Sequence, residues 1–320
     1  MLGKQCTVWP DPIAAAVYVP LVRQRVSSAQ EPSLNRASLD DAVAHLQMFI
    51  TRMAQQGACT LDVDLIVQDF DRDEDTFLYP FNAARNRALM LAETEALLLL
   101  DADFVPMPSL ATALKAPQAF NTLMAQLRMP SVVVLPAFEV DKAASLKEQQ
   151  KIAMAAVTRG KPYVAEGYKA GQIHMFAAHF EKGHNFTLYD RWVSADAPYT
   201  IQHEAGYEPY VLVSRQHVPW YDERFMGYGW DKIVFIMDLA GLGMPFQVHP
   251  DAFVMHMPHP TAPTYQATKN SGYRAKLFQL FREVFHGIRK KQFKPVVSFP
   301  HLCTDPDLRK HDRGAWEGSS

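Results

Sequence analysis

The sequence predicts an α/β fold with a largely parallel sheet covered by helices. Strand and helix patterns alternate through residues 13–157. Residues 61–67 (LDVDLIV) alternate between polar and apolar side chains, which is typical of a half-buried strand. Residues 97–100 are four leucines, which indicates a central strand covered on both faces. Consecutive strands joined through helices favour the parallel arrangement.

The other predicted elements follow in chain order, and the second half is less regular than the first. Ser38 precedes an amphipathic pattern that predicts a helix, with apolar residues recurring on one face. The remaining predictions are strands at 13–19, 132–135, 209–213, 246–249 and 252–257, and helices at 82–94, 141–157 and 231–240.

The domain organisation predicted from composition is one domain over residues 1–303 followed by a flexible tail. The chain has 320 residues and is 48% hydrophobic, so a sizeable core forms and wholesale disorder is excluded. The first half, about 12–140, is the expected ligand-binding half, and 141–290 is the expected catalytic half. Residues 304–320 are mostly polar, with Trp316 as their single aromatic residue, and are expected to be flexible.

Charge, hydropathy and cysteine content exclude several classes of protein. Lysine and arginine total 32 against 34 acidic residues, so binding of nucleic acid through bulk charge is excluded. No apolar window is long enough for a membrane-spanning helix. Cys6, Cys59 and Cys303 form no CxxC pair, which argues against a thiolate zinc site and leaves one disulfide open.

Two carboxylates, Asp101 and Asp103, directly follow the leucine strand. Ligands of open α/β sheets bind beyond the carboxyl ends of the strands, and two adjacent like charges require a positive partner. A hard divalent cation is the natural candidate, although capping of the following turn is the alternative. Asp-x-Asp after a strand occurs in haloacid-dehalogenase-like phosphatases and in nucleotide-sugar glycosyltransferases. The acidic Gly-Asp-x-x-x-Asp cluster of the phosphatases is absent from the sequence.

Several further blocks resemble glycosyltransferase family 49, the LARGE-type and β-1,4-glucuronyltransferase enzymes that modify dystroglycan. The first blocks are residues 79–86 (YPFNAARN) and 101–106 (DADFVP). The later blocks, in order, are 182–184 (KGH), Trp192, 197–199 (APY), 207–211 (YEPYV), 221–230 (YDERFMGYGW) and 254–259 (VMHMPH). The resemblance runs from about Pro12 to about Arg282.

The resemblance implies a GT-A glycosyltransferase fold, which is a single Rossmann-like domain with a mixed, mostly parallel sheet flanked by helices. It implies inverting transfer of a sugar, glucuronic acid by preference, from a UDP-sugar to a glycan acceptor. Mn²⁺ is the implied cofactor, with Mg²⁺ as a substitute. Family members work in the Golgi lumen behind a membrane anchor and stem, whereas the sequence shows no such anchor, which predicts a soluble or truncated protein.

The implied metal ligands are Asp101, Asp103 and His256. His256 ends an apolar strand and matches a histidine of the family, and an imidazole among oxygen ligands favours Mn²⁺ over Ca²⁺. The alternative for His256 is a buried, hydrogen-bonded histidine.

The implied nucleotide-sugar contacts begin with Asn82, Arg85 and Asn86, which share one face of a helix. The alternative for Arg85 is a structural ion pair. His259 is expected near the diphosphate. A glucuronate carboxylate requires a cation, and the candidates are Lys182, His184 and Arg191.

An inverting reaction needs a general base, and acidic residues near position 231 are the candidates. Asp231 is favoured and Asp222 is next, with Glu223 also considered; N-capping or an ion pair is the alternative for each. Asp231 stands where known family members tend to have asparagine, which leaves the assignment open. Trp192, Trp230 and Tyr228 are predicted to stack on sugars.

Two other functions remain open from the sequence. The first is a catalytically inactive carbohydrate-binding protein with the same fold. The second, which the missing acidic cluster disfavours, is a haloacid-dehalogenase-like phosphatase.

Overall fold

The structure is a computed structural model that describes residues 2–24, 33–34, 36–57, 59–71, 76, 78–260 and 272–298. The predicted tail at 304–320 and Cys303 lie outside the described residues. No helix of the described ranges is both long and apolar enough to cross a membrane.

Helices and strands alternate along the described chain, as expected for an α/β protein. The helices are α1 (Leu2–Val8), α2 (Arg36–Gln55), α3 (Phe81–Leu91), α4 (Pro108–Leu114), α5 (Pro117–Arg128), α6 (Leu146–Arg159), α7 (Lys161–Lys169), α8 (Glu181–His184), α9 (Tyr189–Ser194), α10 (Asp231–Gly241) and α11 (Tyr273–Arg289). The strands are β1 (Ile13–Gln24), β2 (Ser33–Leu34), β3 (Leu61–Phe70), β4 (Ala96–Leu99), β5 (Phe104–Pro106), β6 (Val132–Leu135), β7 (Ala137–Val140), β8 (Ile173–Met175), β9 (Tyr199–Ile201), β10 (Tyr210–Ser214), β11 (Phe246–Val248) and β12 (Val254–His256).

The described strands form three mixed sheets flanked by helices. Their orders are β2-β1-β3, β4-β10-β6-β11-β9 and β5-β12-β7-β8. The α/β fold class is therefore confirmed, and the strands predicted from the leucine run and from residues 61–67 are present as β4 and β3.

The predicted direction of the strands needs a correction, because antiparallel pairing dominates. Only β1/β3, β6/β11 and β7/β12 run parallel among the described pairs. In the five-stranded sheet the main cause is β10, a strand from the second half, which lies between β4 and β6 and runs antiparallel to both. The strands at 97–100 and 132–135, which were predicted in succession, are thus not neighbours in the sheet.

The core is rich in aromatic side chains from the second half of the chain. Trp192, Tyr207, Phe138 and Phe253 are completely buried. Phe138 contacts Trp192 with ring centroids 5.1 Å apart and Phe253 at 6.0 Å. This packing holds β7 and the segment before β12 in place.

A disulfide joins Cys6 of α1 to Cys59, which lies just before β3. The sequence left one disulfide open, and the structure assigns this pair. The bond ties α1 to the β1–β3 sheet, while Gln5 of the same helix donates hydrogen bonds to the carbonyls of Asp101 (3.1 Å) and Phe104 (2.7 Å). The helix therefore connects the N-terminal sheet to the acidic loop.

Candidate active site

The acidic loop after β4 begins with Asp101, whose carboxylate is fully engaged by neighbouring side chains. Arg85 Nη2 donates to Oδ1 at 3.0 Å, and Lys232 Nζ and the Tyr210 hydroxyl each donate to Oδ2 at 2.9 Å. Burial alone raises the pKa of Asp101, but Lys232 and Arg85 outweigh it and hold the pKa well below its usual range. Asp101 is therefore a permanent anion that already has its cations.

Strand pairing brings Asp101 and Tyr210 together. The register of β10 against β4 places Val211 opposite Leu99, so the residue before Val211 approaches the end of β4. Lys232 follows the first residue of α10 and lies over the Tyr210 ring, with Nζ 4.0 Å from the ring centroid.

Asp103 lies beside two histidines from more than 150 positions away in the sequence. Its Oδ2 is 3.4 Å from His256 Nε2 and 3.1 Å from His259 Nε2. The antiparallel register of β5 and β12 sets His256 opposite Phe104, and the Met257 N–H donates to the Asp103 carbonyl at 2.7 Å. Burial raises the pKa of the Asp103 carboxyl, but the hydrogen bond from His256 lowers it and prevails.

Asp103, His256 and His259 form a group that fits a divalent cation. One ligand atom of each lies within 4.8 Å of the other two. One carboxylate oxygen and two imidazole nitrogens are a donor set that suits Mn²⁺ and related transition metals. The predicted set of Asp101, Asp103 and His256 is thus changed: Asp101 is not in the group, because it is held by Arg85 and Lys232, and His259 is added.

Arg85 links the acidic loop to the start of α10. Its Nη1 donates to Asp231 Oδ2 at 2.6 Å, while Nη2 holds Asp101. Its guanidinium also lies over the Tyr221 ring, 5.3 Å from the centroid. Burial alone lowers the pKa of Arg85, but Asp101 and Asp231 raise it well above its ordinary value. Arg85 is a fixed cation between two carboxylates.

Asn82 and Asn86 face the interior and not the cleft, which corrects their predicted role in binding nucleotide. Both are completely buried. Asn86 exchanges hydrogen bonds with the backbone of Tyr221 at 2.8 and 2.9 Å, and Asn82 Nδ2 donates to the Asp222 carbonyl at 2.8 Å. The two amides attach the segment before α10 to α3, so their function is to position that segment.

All three candidates for the general base are held in contacts with other side chains. The Asp222 carboxylate is buried and accepts hydrogen bonds from the Arg224 side chain at 2.6 to 3.2 Å. Glu223 accepts from Asn86 at 2.8 Å and from the backbone N–H of Ser298 at 2.9 Å. The ion-pair alternative therefore describes Asp222, and it also applies to Asp231, which is paired with Arg85. Asp231 lines the cleft, and its role as base stays a prediction.

The aromatic candidates for sugar stacking separate into two groups. Trp192 is completely buried, and its indole N–H donates to the His249 carbonyl at 3.0 Å, so the prediction that it lies in the cleft is wrong. Trp230 and Tyr228 line the cleft, and Tyr228 is 54% exposed. Trp230 lies against Phe278 of α11, with ring centroids 5.7 Å apart.

The three candidates for a carboxylate-binding cation lie outside the cleft lining described by the structure. Lys182 and Arg191 are exposed, and Arg191 lies over Tyr199 at 4.2 Å. His184 is buried, and burial, reinforced by Lys232, lowers its pKa to about 3. It is therefore neutral and does not supply a cation, in contrast to the prediction.

The sequence indicates no role for Glu208. It indicates Lys232 only as an ion-pair partner and Tyr210 only among the aromatic residues suited to sugar stacking, although all three line the cleft. Each lies in or next to a block that carries the resemblance, at 207–211 and 221–230. Those blocks were the available signal. The contacts of Tyr210 and Lys232 with Asp101 depend on long-range packing, including that of β10 against β4, which the sequence does not show.

The structure defines a class of protein: an α/β domain in which one carboxylate and two imidazoles can bind a cation. These groups lie beside the end of a sheet strand and open to a wide cleft. The chain belongs to the family described as "Glycosyl-transferase for dystroglycan", whose family model matches residues 1–293.

Curated relatives agree with this membership. The chain is 32% identical over 287 residues to the xylosyl- and glucuronyltransferase LARGE2 of Mus musculus, covering 89% of this chain and 36% of that protein. It is 35% identical over 293 residues to LARGE2s of Gallus gallus, covering 89% and 34%. It is 33% identical over 290 residues to LARGE1 of Danio rerio, covering 88% and 33%. The chain thus spans about a third of the length of these relatives.

A solved structure of GalNAc-T7 with UDP, GalNAc and Mn²⁺ is similar at a TM-score of 0.35 and 12% identity, covering 87% of this chain and 50% of that chain. A similarity at that score carries no argument about the site.

Proposed function

We propose that this chain is a GT-A glycosyltransferase that transfers a sugar from a UDP-sugar to a glycan acceptor with inversion, aided by Mn²⁺ or Mg²⁺. The observation that carries the proposal is the group of Asp103, His256 and His259 at the cleft, in a chain of the dystroglycan glycosyltransferase family. Family membership supports the reaction class, and the donor set supports the cation.

In this proposal Asp103, His256 and His259 hold the cation. When bound, the cation stabilises the negative charge of the leaving diphosphate. Lys232 and Arg85 keep Asp101 ionised and fixed, which holds the loop that carries Asp103. Tyr228 and Trp230 at the cleft offer flat apolar faces to the sugar rings of an acceptor.

Glucuronic acid is the transferred sugar that we propose. The resemblance to family 49 supports it, and so do the names of the LARGE relatives, which are xylosyl- and glucuronyltransferases. Lys232 and Arg274 are two of the cations in the cleft lining, and we propose them in place of Lys182, His184 and Arg191 as candidates for the sugar carboxylate.

We also propose an oxidising compartment such as the Golgi lumen as the place of action. The family resemblance supports it, and the Cys6–Cys59 disulfide is of a kind that persists in oxidising compartments.

The test is a transfer assay with UDP-glucuronate, UDP-xylose and UDP-galactose against a panel of aryl glycosides, with Mn²⁺ or with EDTA. We expect Mn²⁺-dependent product from UDP-glucuronate, detected by mass spectrometry, with the anomeric configuration inverted by NMR. Asp103→Asn is the inactive control, and Asp141→Asn, at an exposed pair with His174, is the matched active control. Glycan binding without turnover of any donor would contradict the enzyme and favour the carbohydrate-binding alternative.

A further inference from the structure

The Glu208 carboxylate lines the same cleft as Asp101 and Asp231, yet it makes no hydrogen bond or ion pair with any residue that the structure describes. The three acids considered as general bases are engaged: Asp222 by Arg224, Glu223 by Asn86, and Asp231 by Arg85. Unlike these three acids, Glu208 can therefore bind a ligand without first breaking a contact with another side chain.

The backbone conformation directs the Glu208 side chain toward the acidic loop. Pro209 follows it, which restricts residue 208 to an extended conformation. Side chains two positions apart on an extended chain lie on the same side, so Glu208 shares a side with Tyr210, whose hydroxyl bonds Asp101. The Glu208 N–H donates to the Gly183 carbonyl at 2.9 Å, which fixes this orientation.

The absence of a side chain at Gly183 leaves room for the Glu208 carboxylate. A Cβ at position 183 would lie 3.3 Å from Glu208 Oε1 and 2.9 Å from the Phe180 ring. Only a residue without a side chain leaves that space to both groups.

Four charged groups face Glu208 from two helices and the acidic loop: Arg85 of α3, Asp101, and Asp231 and Lys232 of α10. Their charges largely oppose one another, so burial dominates and raises the pKa of Glu208 to about 7. A carboxylate that titrates near neutral pH accepts a proton readily and releases it again, which is what a general base must do.

We propose that Glu208 is the general base of the transfer reaction, a role that rests on the proposed function. The acceptor hydroxyl gives its proton to a Glu208 oxygen while the hydroxyl oxygen bonds to the anomeric carbon of the donor. The bond from that carbon to the diphosphate oxygen breaks, and its electron pair leaves with UDP. Glu208 then releases the proton to water, so the net products are the glycoside, UDP and one proton.

This assignment differs from Asp231 in its electrostatics. The Asp231 carboxylate lies 2.6 Å from Arg85 Nη1, and charge-assisted bonds of that length favour the ionised form of the acid. Protonation of Asp231 during turnover would weaken that contact, whereas protonation of Glu208 breaks no bond to a described residue.

The experiment compares Glu208→Gln with Asp231→Asn and with Glu204→Gln, an exposed acid four residues earlier as the matched control. We expect Glu208→Gln to lower kcat by about 100-fold or more, the usual contribution of a general base. Its KM for donor and its Mn²⁺-dependent UDP binding, measured by calorimetry, should stay within about threefold of wild type, and Glu204→Gln should match wild type. The fall of kcat/KM below pH 7 should disappear in Glu208→Gln and persist in Asp231→Asn.

An independent readout is infrared difference spectroscopy of the free protein, in which a carboxylic acid band titrating near pH 7 should be present in wild type and absent from Glu208→Gln. If Glu208→Gln fails to fold, Glu208→Asp replaces it, and a lowered kcat with a retained pH dependence is expected. The proposal is overturned if Glu208→Gln keeps its kcat within threefold, or if Asp231→Asn removes the pH dependence instead. A wild-type protein that binds UDP but transfers no sugar overturns the proposed function and this role together.

Discussion

Arg85 and Asp231 form an ion pair of 2.6 Å across 146 positions of sequence, and the same guanidinium holds Asp101 at 3.0 Å. The pair joins α3 to the first residue of α10, and the second contact joins both to the loop after β4. The side chains of Arg85 and Asp231 are only 19% and 15% exposed, so water screens the charges weakly. Arg85 thus connects α3, α10 and the acidic loop through one guanidinium group.

Arg85→Ala should destabilise the fold, because it leaves Asp101 and Asp231 without their shared partner. Loss of one member of a largely buried pair costs roughly 3 kcal/mol in the free energy of unfolding. Urea denaturation monitored by circular dichroism measures the change. Arg87→Ala is the control on the same helix: Arg87 is 38% exposed and 3.5 Å from Asp64, so its loss should cost under about 1 kcal/mol. Equal losses in both variants would refute the structural role of Arg85.

Glu208→Gln should stabilise the protein, and by more at pH 8 than at pH 5. Burial raises the pKa of Glu208 from 4.5 to about 7, so the folded state holds a proton that the unfolded state has lost. The stabilising contribution is complete below pH 4.5 and is lost as the pH rises to about 7. Differential scanning fluorimetry at pH 5 and pH 8 compares the variant with wild type. A gain in Tm that is the same at both values would mean that Glu208 titrates normally.

Reduction should weaken the fold through the Cys6–Cys59 bond. A disulfide of this kind contributes about 2–4 kcal/mol, largely by restricting the unfolded chain. The Cys6→Ser variant should show a lower urea midpoint than wild type and no further response to dithiothreitol. Cys303→Ser should keep the full response to reductant. An unchanged midpoint in reduced wild type would count against the bond.

Trp192 and Tyr228 should respond to mutation in opposite ways. Trp192→Phe removes the hydrogen bond to the His249 carbonyl and leaves a cavity, which should cost roughly 1–3 kcal/mol in stability without changing the KM for acceptor. Tyr228→Ala should leave stability within about 0.5 kcal/mol, because the side chain is largely exposed, and raise the acceptor KM. Urea denaturation and acceptor titration separate the two effects.

Local sequence patterns predicted many of the strands and helices, but they did not predict which strands pair when the strands are distant in the sequence. The leucine run and the valine run at 132–135 were correctly predicted as strands. The insertion of β10 between them depends on packing of residues about 80 to 110 positions apart, which no local period encodes.

The same limit applies to the site. The spacing of Asn82, Arg85 and Asn86 correctly indicates neighbouring helix positions, but the amides contact the segment before α10 while Arg85 reaches the cleft. His259 joins the cation group only because β12 pairs with β5. Asp101 is not part of that group because Lys232, on a helix that starts 130 positions later, donates a hydrogen bond to its carboxylate.

Binding of Mn²⁺, measured by electron paramagnetic resonance of the free ion, tests the central claim most directly. Wild type with UDP should remove Mn²⁺ from solution with one site per chain. Asp103→Asn, His256→Ala and His259→Ala should each weaken binding by tenfold or more, while Asp141→Asn should bind like wild type. Undiminished binding in Asp103→Asn would contradict the assignment of the cation to this group.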